Sequence, residues 1–302
     1  MWASRSAGVV LVVASAAAYS TAGLFTRLIS LDVWTILFWR GIFAGLLVAA
    51  VFVVMERDRW FASVRAIGRA GLIAALCSGL ATIMFISAFR LTSVADVVII
   101  FATAPFVTAA MARVWYGTRE PWATLTASMV ALVGIVVMMS GVDTGHRLVG
   151  ELLAIGMTVL MSLMMVIIRA HRDTPMLPAA SLSALLCATL AAPVATPFRV
   201  GGHDLLLLVL FGTTQFGLGL ILLTLGTRLV SATESALLQT IEVPLAAVWV
   251  WLAFGEMPAI TTMIGGLIIL SAVIVHIAGP AMWGSAEKVY ADVRRSGADA
   301  RG

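Results

Sequence analysis

The sequence predicts an all-α integral membrane protein: ten transmembrane helices built as two inverted five-helix repeats, with both termini cytoplasmic. Three observations carry this expectation. Of 302 residues, 61% are hydrophobic and only 11% charged, with a mean hydropathy of +1.06, whereas soluble domains carry roughly 25% charged residues. The apolar stretches run about 20 residues, the length a helix needs to cross a hydrocarbon core of about 30 Å, and the short alternating segments of a transmembrane barrel are absent. The third observation is an internal repeat with an odd number of spans in each copy.

Breaking the chain at charged, Gly or Pro clusters gives spans at 8–30, 33–55, 70–89, 94–116 and 122–141, then 150–169, 178–197, 204–227, 232–254 and 258–279. The first opens with "MWASRSAGVVLVVASAAAYS", which has the Arg, apolar run and small residues of a cleavable leader. Its apolar run continues to Ser30, longer than a signal core, so it reads as a helix of the first repeat. The second holds "FWRG", the fourth Pro105, the sixth a methionine cluster, the eighth Thr213, Thr214 and Gln215, and the ninth "LQTIEVPLAA". The chain divides at 1–147 and 148–281, with a cytoplasmic tail at 282–302.

With both termini inside, 14 of the 19 Lys and Arg residues fall in cytoplasmic segments, including Arg5, Arg57, Arg59, Arg65, Arg69, Arg113, Arg119, Arg169, Arg172 and Arg228. That asymmetry fixes orientation and explains the pI near 9.7 without nucleic acid. Trp34, Trp249 and Trp251 fall near the outer surface, and Trp60, Trp115, Trp122 and Trp283 near the inner one.

Residues 79–96, "GLATIMFISAFRLTSVAD", return as 217–234, "GLGLILLTLGTRLVSATE". Gly79/Gly217, Arg90/Arg228, Leu91/Leu229 and Ser93/Ser231 are identical, Asp96 matches Glu234, and Pro105 answers Pro244. Five helices per copy require the second copy to enter the membrane from the opposite side, an inverted repeat with binding near the midplane.

"FWRG", "RLTSVADVVIIFATAPFVTA", "RLVSATESALLQTIEVPLAAVWVWLAFGE" and "GGLIILSAVIV" together resemble the drug/metabolite transporter superfamily, in its EamA-type ten-helix branch. The chain departs from that pattern where Val243 separates Glu242 from Pro244, and in its longer interval from Pro105 to Glu120. The resemblance implies a secondary transporter in the inner (plasma) membrane. It exports small organic metabolites, with exporters of amino acids, aromatic ones included, as the nearest neighbours. It implies a small-molecule substrate and the lipid bilayer as partners, with protons as a candidate further partner.

An ionisable group at Glu242, near the middle of its span, costs roughly 2.5–3.5 kcal/mol on insertion scales, a cost relieved by protonation, a cationic partner or a water-filled cavity. Ser235, Gln239, Glu242, Ala246 and Trp249 share one face of the ninth helix. The reading is either a structural carboxylate or a cavity group that binds substrate or a proton. Arg40 is the second anomaly, at a depth from which it can approach Glu242. It serves as a structural pair or as the ligand of a substrate carboxylate. Ser15, Tyr19 and Thr26 share a face of the first helix and, with Gln215, are softer cavity candidates. Asp96, Glu234, Arg113, Arg169 and His276 read as interfacial anchors, and Met157, Met161, Met164 and Met165 as helix packing or as an adaptable wall for bulky apolar ligands. Pro105 and Pro244, with Gly79 and Gly217, are the hinge candidates.

Cys77 and Cys187 fall inside apolar spans, and the chain has no Asn, hence no N-glycosylation sequon. No "GxxxxGK[ST]", "HExxH", nucleophile elbow or Cys/His cluster appears. The sequence therefore predicts no cofactor, no metal and no enzymatic activity. The alternatives are a polyspecific exporter of toxic or cationic compounds, and a non-transporting membrane sensor or enzyme.

Overall fold

The computed structural model describes residues 2–92, 94–140 and 148–278, and every regular element among them is helical. Ser93, Arg147 and the tail at 282–302 lie outside the described residues. The first half consists of α1 (Trp2–Tyr19), α2 (Ala22–Leu28), α3 (Val33–Glu56), α4 (Trp60–Ala66), α5 (Gly68–Leu91), α6 (Val94–Phe101), α7 (Ala104–Tyr116) and α8 (Trp122–Met139). The second consists of α9 (Leu148–Ala170), α10 (Leu177–Ala191), α11 (Gly202–Leu210), a π-helical segment (Phe211–Gly217), α12 (Leu218–Thr227), α13 (Ala232–Gln239), α14 (Glu242–Phe254) and α15 (Ile260–Ala278).

All ten spans are present, nine of them among the described residues long and apolar enough to cross a membrane. The seventh, α10, is shorter than expected and stops at Ala191 rather than 197. It is buried along most of its length, so its neighbours, rather than lipid, satisfy its surface. Three spans are interrupted: the first, expected to be continuous, at Ser20–Thr21, and the fourth and ninth, where the prolines were expected to act, at Ala102–Thr103 and Thr240–Ile241. The last two breaks lie just before Pro105 and Pro244, whose rings and missing N–H groups prevent an unbroken α-helical ladder.

The halves are inverted. The second helices of each copy, α3 and α10, run antiparallel: Thr35 meets Thr196, Gly41 faces Ala184 and Ala188, and Gly45 accepts from Ser181 Oγ. The fifth helices behave alike, with Gly134 against Gly265 and Ile269, and Met138 against Gly265. Equivalent helices that cross in opposite directions place the pseudo-two-fold axis in the membrane plane. Packing between halves follows the same exchange. α1 packs on α12, where Ser15 Oγ donates to the Gly219 carbonyl at 2.8 Å, and α5 packs on α9, where Gly156 faces Met84.

One end of the bundle collects Arg5, Arg59, Arg119, Arg169, Arg172 and Arg228, tied by Arg169 and Arg228 donating to the Arg228 and Arg172 carbonyls, and by Ser231 donating to Glu120. The opposite end carries the Arg27–Glu256 ion pair at 2.7 Å and the Asp32–Thr35–Thr196 cluster. Packing differs along the ninth span. Every residue of α13, near the arginine-rich end, is buried, whereas only Pro244 is buried in α14.

Candidate functional site

Arg40 is buried about seven residues into the second span, and the eighth span explains how that is tolerated. Its Nε donates to Gln215 Oε1 at 3.2 Å, while its guanidinium carbon lies 4.1 Å from the centre of the Phe216 ring and 5.1 Å from that of Phe211. All three partners come from the π-helical segment, whose i→i+5 spacing turns residues 211, 215 and 216 together toward α3. Gly212 and Gly217 permit the approach. A Cβ on Gly212 would stand 2.7 Å from Phe43 Cβ and 2.9 Å from the Arg40 carbonyl, and one on Gly217 would stand 3.0 Å from Leu47 Cδ2. Among the described residues, Nη1 and Nη2 of Arg40 have no hydrogen-bond acceptor.

Gln215 passes the connection on, its Nε2 donating to the Tyr19 carbonyl at 3.3 Å. That carbonyl lies at the end of α1, where the break at Ser20–Thr21 leaves it available. The Tyr19 ring packs on Gly219, where any Cβ would lie 2.9 Å from Cε1. Tyr19, Arg40 and Glu242 stand within electrostatic reach of one another. No ion pair joins Arg40 to Glu242 among the described residues, so the direct approach that their depths suggested does not occur.

Glu242 opens α14. Because Pro244 offers no N–H, the chain tightens at the break, and the Thr240 carbonyl accepts from Val243 N–H at 3.2 Å. The carboxylate is half-buried, accepts no hydrogen bond among the described residues, and lies at the positive end of the α14 dipole. Both the Glu242 carboxylate and the Arg40 Nη groups thus keep hydrogen-bonding capacity that no described residue uses.

The predicted face of the ninth span survives its break and turns toward the first. Gln239 Nε2 donates to Ser15 Oγ at 3.3 Å, and Trp249 Nε1 to Ser20 Oγ at 2.8 Å. Gln239 Oε1 and Ser235 Oγ are buried without partners. Other candidates separate from this group. Thr26, Thr213 and Thr214 are satisfied by carbonyls of their own helices. Met157, Met164 and Met165 are buried in helix packing. Glu234 is not a simple surface anchor: it accepts from Arg5 and stands 3.3 Å from His276 Nε2, joining three spans at the arginine-rich end. Gly79 lies at a close crossing of α5 with α10, where a Cβ would meet Leu186 Cδ2 at 3.1 Å.

Sequence reasoning missed Phe211, Phe216 and Ser20. For the two aromatics a signal existed: "FGTTQFG" repeats Phe-Gly at a spacing of five, the hydrogen-bond step of a π-helix rather than the step of four of an α-helix. Ser20 carried no signal, because it becomes a polar partner only through the break beside it.

Comparison with family models matches two consecutive segments, residues 6–140 and 148–278, to the EamA-like transporter family. The chain belongs to that family. As an EamA-like protein it is a multi-pass membrane transporter of small metabolites, and the family's members are transporters rather than enzymes. The two matched segments coincide with the two halves seen to cross in opposite directions. A solved structure, described only as a crystal structure of a protein, is similar to this EamA-like chain with a TM-score of 0.73 and 19% identity, covering 90% of this chain and 97% of the other. At that identity the likeness shows the fold. No curated protein matches.

Proposed function

We propose that the protein is a secondary transporter that moves amino acids, aromatic or hydrophobic ones, out of the cell by alternating access. One observation supports this reading above the others: within the spans, the Arg40 Nη groups and the Glu242 carboxylate make no ion pair with each other and no hydrogen bond among the described residues. A zwitterion meets that arrangement. Its carboxylate would take the Nη groups of Arg40, and its ammonium the carboxylate of Glu242. Tyr19 and the Trp249 region supply apolar area beside them. The inverted halves provide the means of exposing one site to each side in turn, and the breaks before Pro105 and Pro244 are the proposed hinges. With the arginine-rich end cytoplasmic, both termini lie inside and the membrane is the inner (plasma) membrane. Protons are the proposed counter-ion through Glu242.

The test is counterflow in proteoliposomes with Arg40→Gln and Glu242→Gln. The reading requires both to lower zwitterion exchange, and the residual exchange of Glu242→Gln to lose its pH dependence. Undiminished exchange with unaltered pH dependence in Glu242→Gln removes that residue from the mechanism. Loss of zwitterion flux in Arg40→Gln with cation flux spared separates amino-acid export from a polyspecific exporter of cations, in which Glu242 is the only charge that matters.

A further inference from the structure

Between the second and third spans the chain builds a surface that neither the fold nor the central site uses. Helix α4 is entered through Arg57, which caps α3 with φ of +48°, and left through Gly68 with φ of +58°. These two sharp turns set a short helix between spans rather than a loop. Its inward face is narrow: Ser63 and Ile67, four residues apart, are buried, and Ser63 Oγ donates to Glu56 Oε2 at 2.9 Å. The rest faces out. Trp60 is 44%, Phe61 51% and Val64 37% exposed, so its large apolar side chains are on the free side. Arg57, Arg59, Arg65 and Arg69 are exposed around them, and the Arg65 guanidinium lies 4.5 Å from the centre of the Phe61 ring. Four arginines outnumber the acids of this stretch, Glu56 and Asp58, and Glu56 is held by Ser63. Beside the helix an open cleft of about 380 Å³ is bordered by Arg59 and Arg228 together with the acids Glu56 and Asp173.

An outward face that joins large apolar side chains to arginines matches neither water alone nor hydrocarbon alone. It matches the boundary between acyl chains and headgroups, and the excess positive charge selects anionic headgroups. We propose that α4 and its flanking arginines form a docking surface for anionic phospholipid headgroups, with Trp60, Phe61 and Val64 at the acyl boundary and Arg57, Arg59, Arg65 and Arg69 on the phosphates. Because α4 is covalently continuous with α3, lipid bound there holds the end of the helix that carries Arg40. The surface does not depend on which substrate the transporter carries.

The test uses the full chain in vesicles of phosphatidylcholine and phosphatidylglycerol, with brominated acyl chains on one lipid at a time. The difference between the wild type and Trp60→Phe isolates quenching of Trp60. Brominated phosphatidylglycerol is expected to quench Trp60 several-fold more than brominated phosphatidylcholine, since each arginine near an anionic surface adds roughly fivefold in local affinity. The preference is expected to fall to parity in the quadruple variant Arg57→Gln, Arg59→Gln, Arg65→Gln, Arg69→Gln. Equal quenching by the two lipids in the wild type, or an undiminished preference in the variant, overturns the proposal. If the quadruple variant fails to fold, the pair Arg65→Gln and Arg69→Gln replaces it. There the melting temperature of the wild type, and not of the pair, must rise on adding short-chain phosphatidylglycerol. An equal rise in both overturns the proposal as well.

Discussion

Replacing Gly41 with Ala tests whether one helix crossing positions Arg40. Gly41 follows Arg40 in "FWRG" and lies where α3 crosses α10 on the pseudo-symmetry axis. A Cβ there would stand 2.6 Å from the Ala184 carbonyl oxygen, 2.9 Å from Ala188 Cβ and 3.0 Å from Ala188 N. Two of these atoms are backbone, so no rotamer change relieves the overlap. Ordinary contact begins near 3.4 Å, and α3 must retreat by about 0.8 Å, or α10 must bend. Overpacking of this kind costs about 1–3 kcal/mol, which corresponds to a melting temperature lower by about 2–8 °C in a chain of this size. The same retreat carries Arg40 away from Gln215, whose 3.2 Å hydrogen bond has little slack. The assay pairs thermal melting in detergent with counterflow flux in proteoliposomes. Gly23→Ala is the control: nothing lies within 4 Å of its Cβ, and in a helix Ala is favoured over Gly by about 1 kcal/mol. The reasoning is refuted if Gly41→Ala melts and transports like the wild type, or if Gly23→Ala is destabilised as much as Gly41→Ala.

Gln215→Leu removes the acceptor of Arg40 Nε and leaves a buried guanidinium N–H unpaired; a stability loss of about 1–3 kcal/mol by chemical unfolding is expected, with reduced zwitterion flux. At the opposite end, burial raises the pKa of Asp32, but hydrogen bonds from Thr35, Thr196 and the Trp34 N–H outweigh it and hold the carboxyl below its usual value. A depressed pKa contributes stability that is present above the unfolded-state value and lost as pH falls through the folded one. Melting temperature should therefore drop as pH falls below about 4, the ordinary carboxylate value, and Asp32→Asn should remove that part of the slope. Sidedness is checked by cysteine labelling with a membrane-impermeant maleimide. Gly201→Cys is expected to react on intact cells and Thr118→Cys only after permeabilisation, against a low background because Cys77 and Cys187 are buried.

Much of this architecture was legible because lipid imposes a simple rule: spans must be apolar and about 20 residues long, and their charged ends mark the loops. The inverted repeat followed from counting helices between Arg90 and Arg228. Pro105 and Pro244 announced breaks, since a missing N–H is visible in one residue. The break at Ser20–Thr21 was not legible, because no proline or glycine sits there and the segment remains apolar on both sides. The central site was half legible. Arg40, Gln215 and Glu242 stood out as polar groups at an expensive depth, but their pairing did not, because lateral neighbours depend on how helices from separate halves cross. Depth suggested Arg40 with Glu242, whereas the π turn gives Arg40 to Gln215, Phe211 and Phe216 instead. Ser235 and Gln239 were expected on a common face, yet nothing in their spacing revealed that Ser15 of α1 would accept from Gln239.

The ties between the first and ninth spans have a consequence for biosynthesis. Arg5 with Glu234, Ser20 with Trp249 and Arg27 with Glu256 are each separated by 229 residues. At 5–20 residues per second of elongation, the N-terminal helix waits roughly 11 to 46 s inside the bilayer before those partners leave the ribosome. During that interval the Arg5 guanidinium lacks the Glu234 carboxylate, whereas the Ser20 hydroxyl already donates to the Ala17 carbonyl and only later accepts from Trp249. A polypeptide stopped after α12 would thus carry a first helix whose Arg5 and Arg27 have no acidic partner from the ninth span.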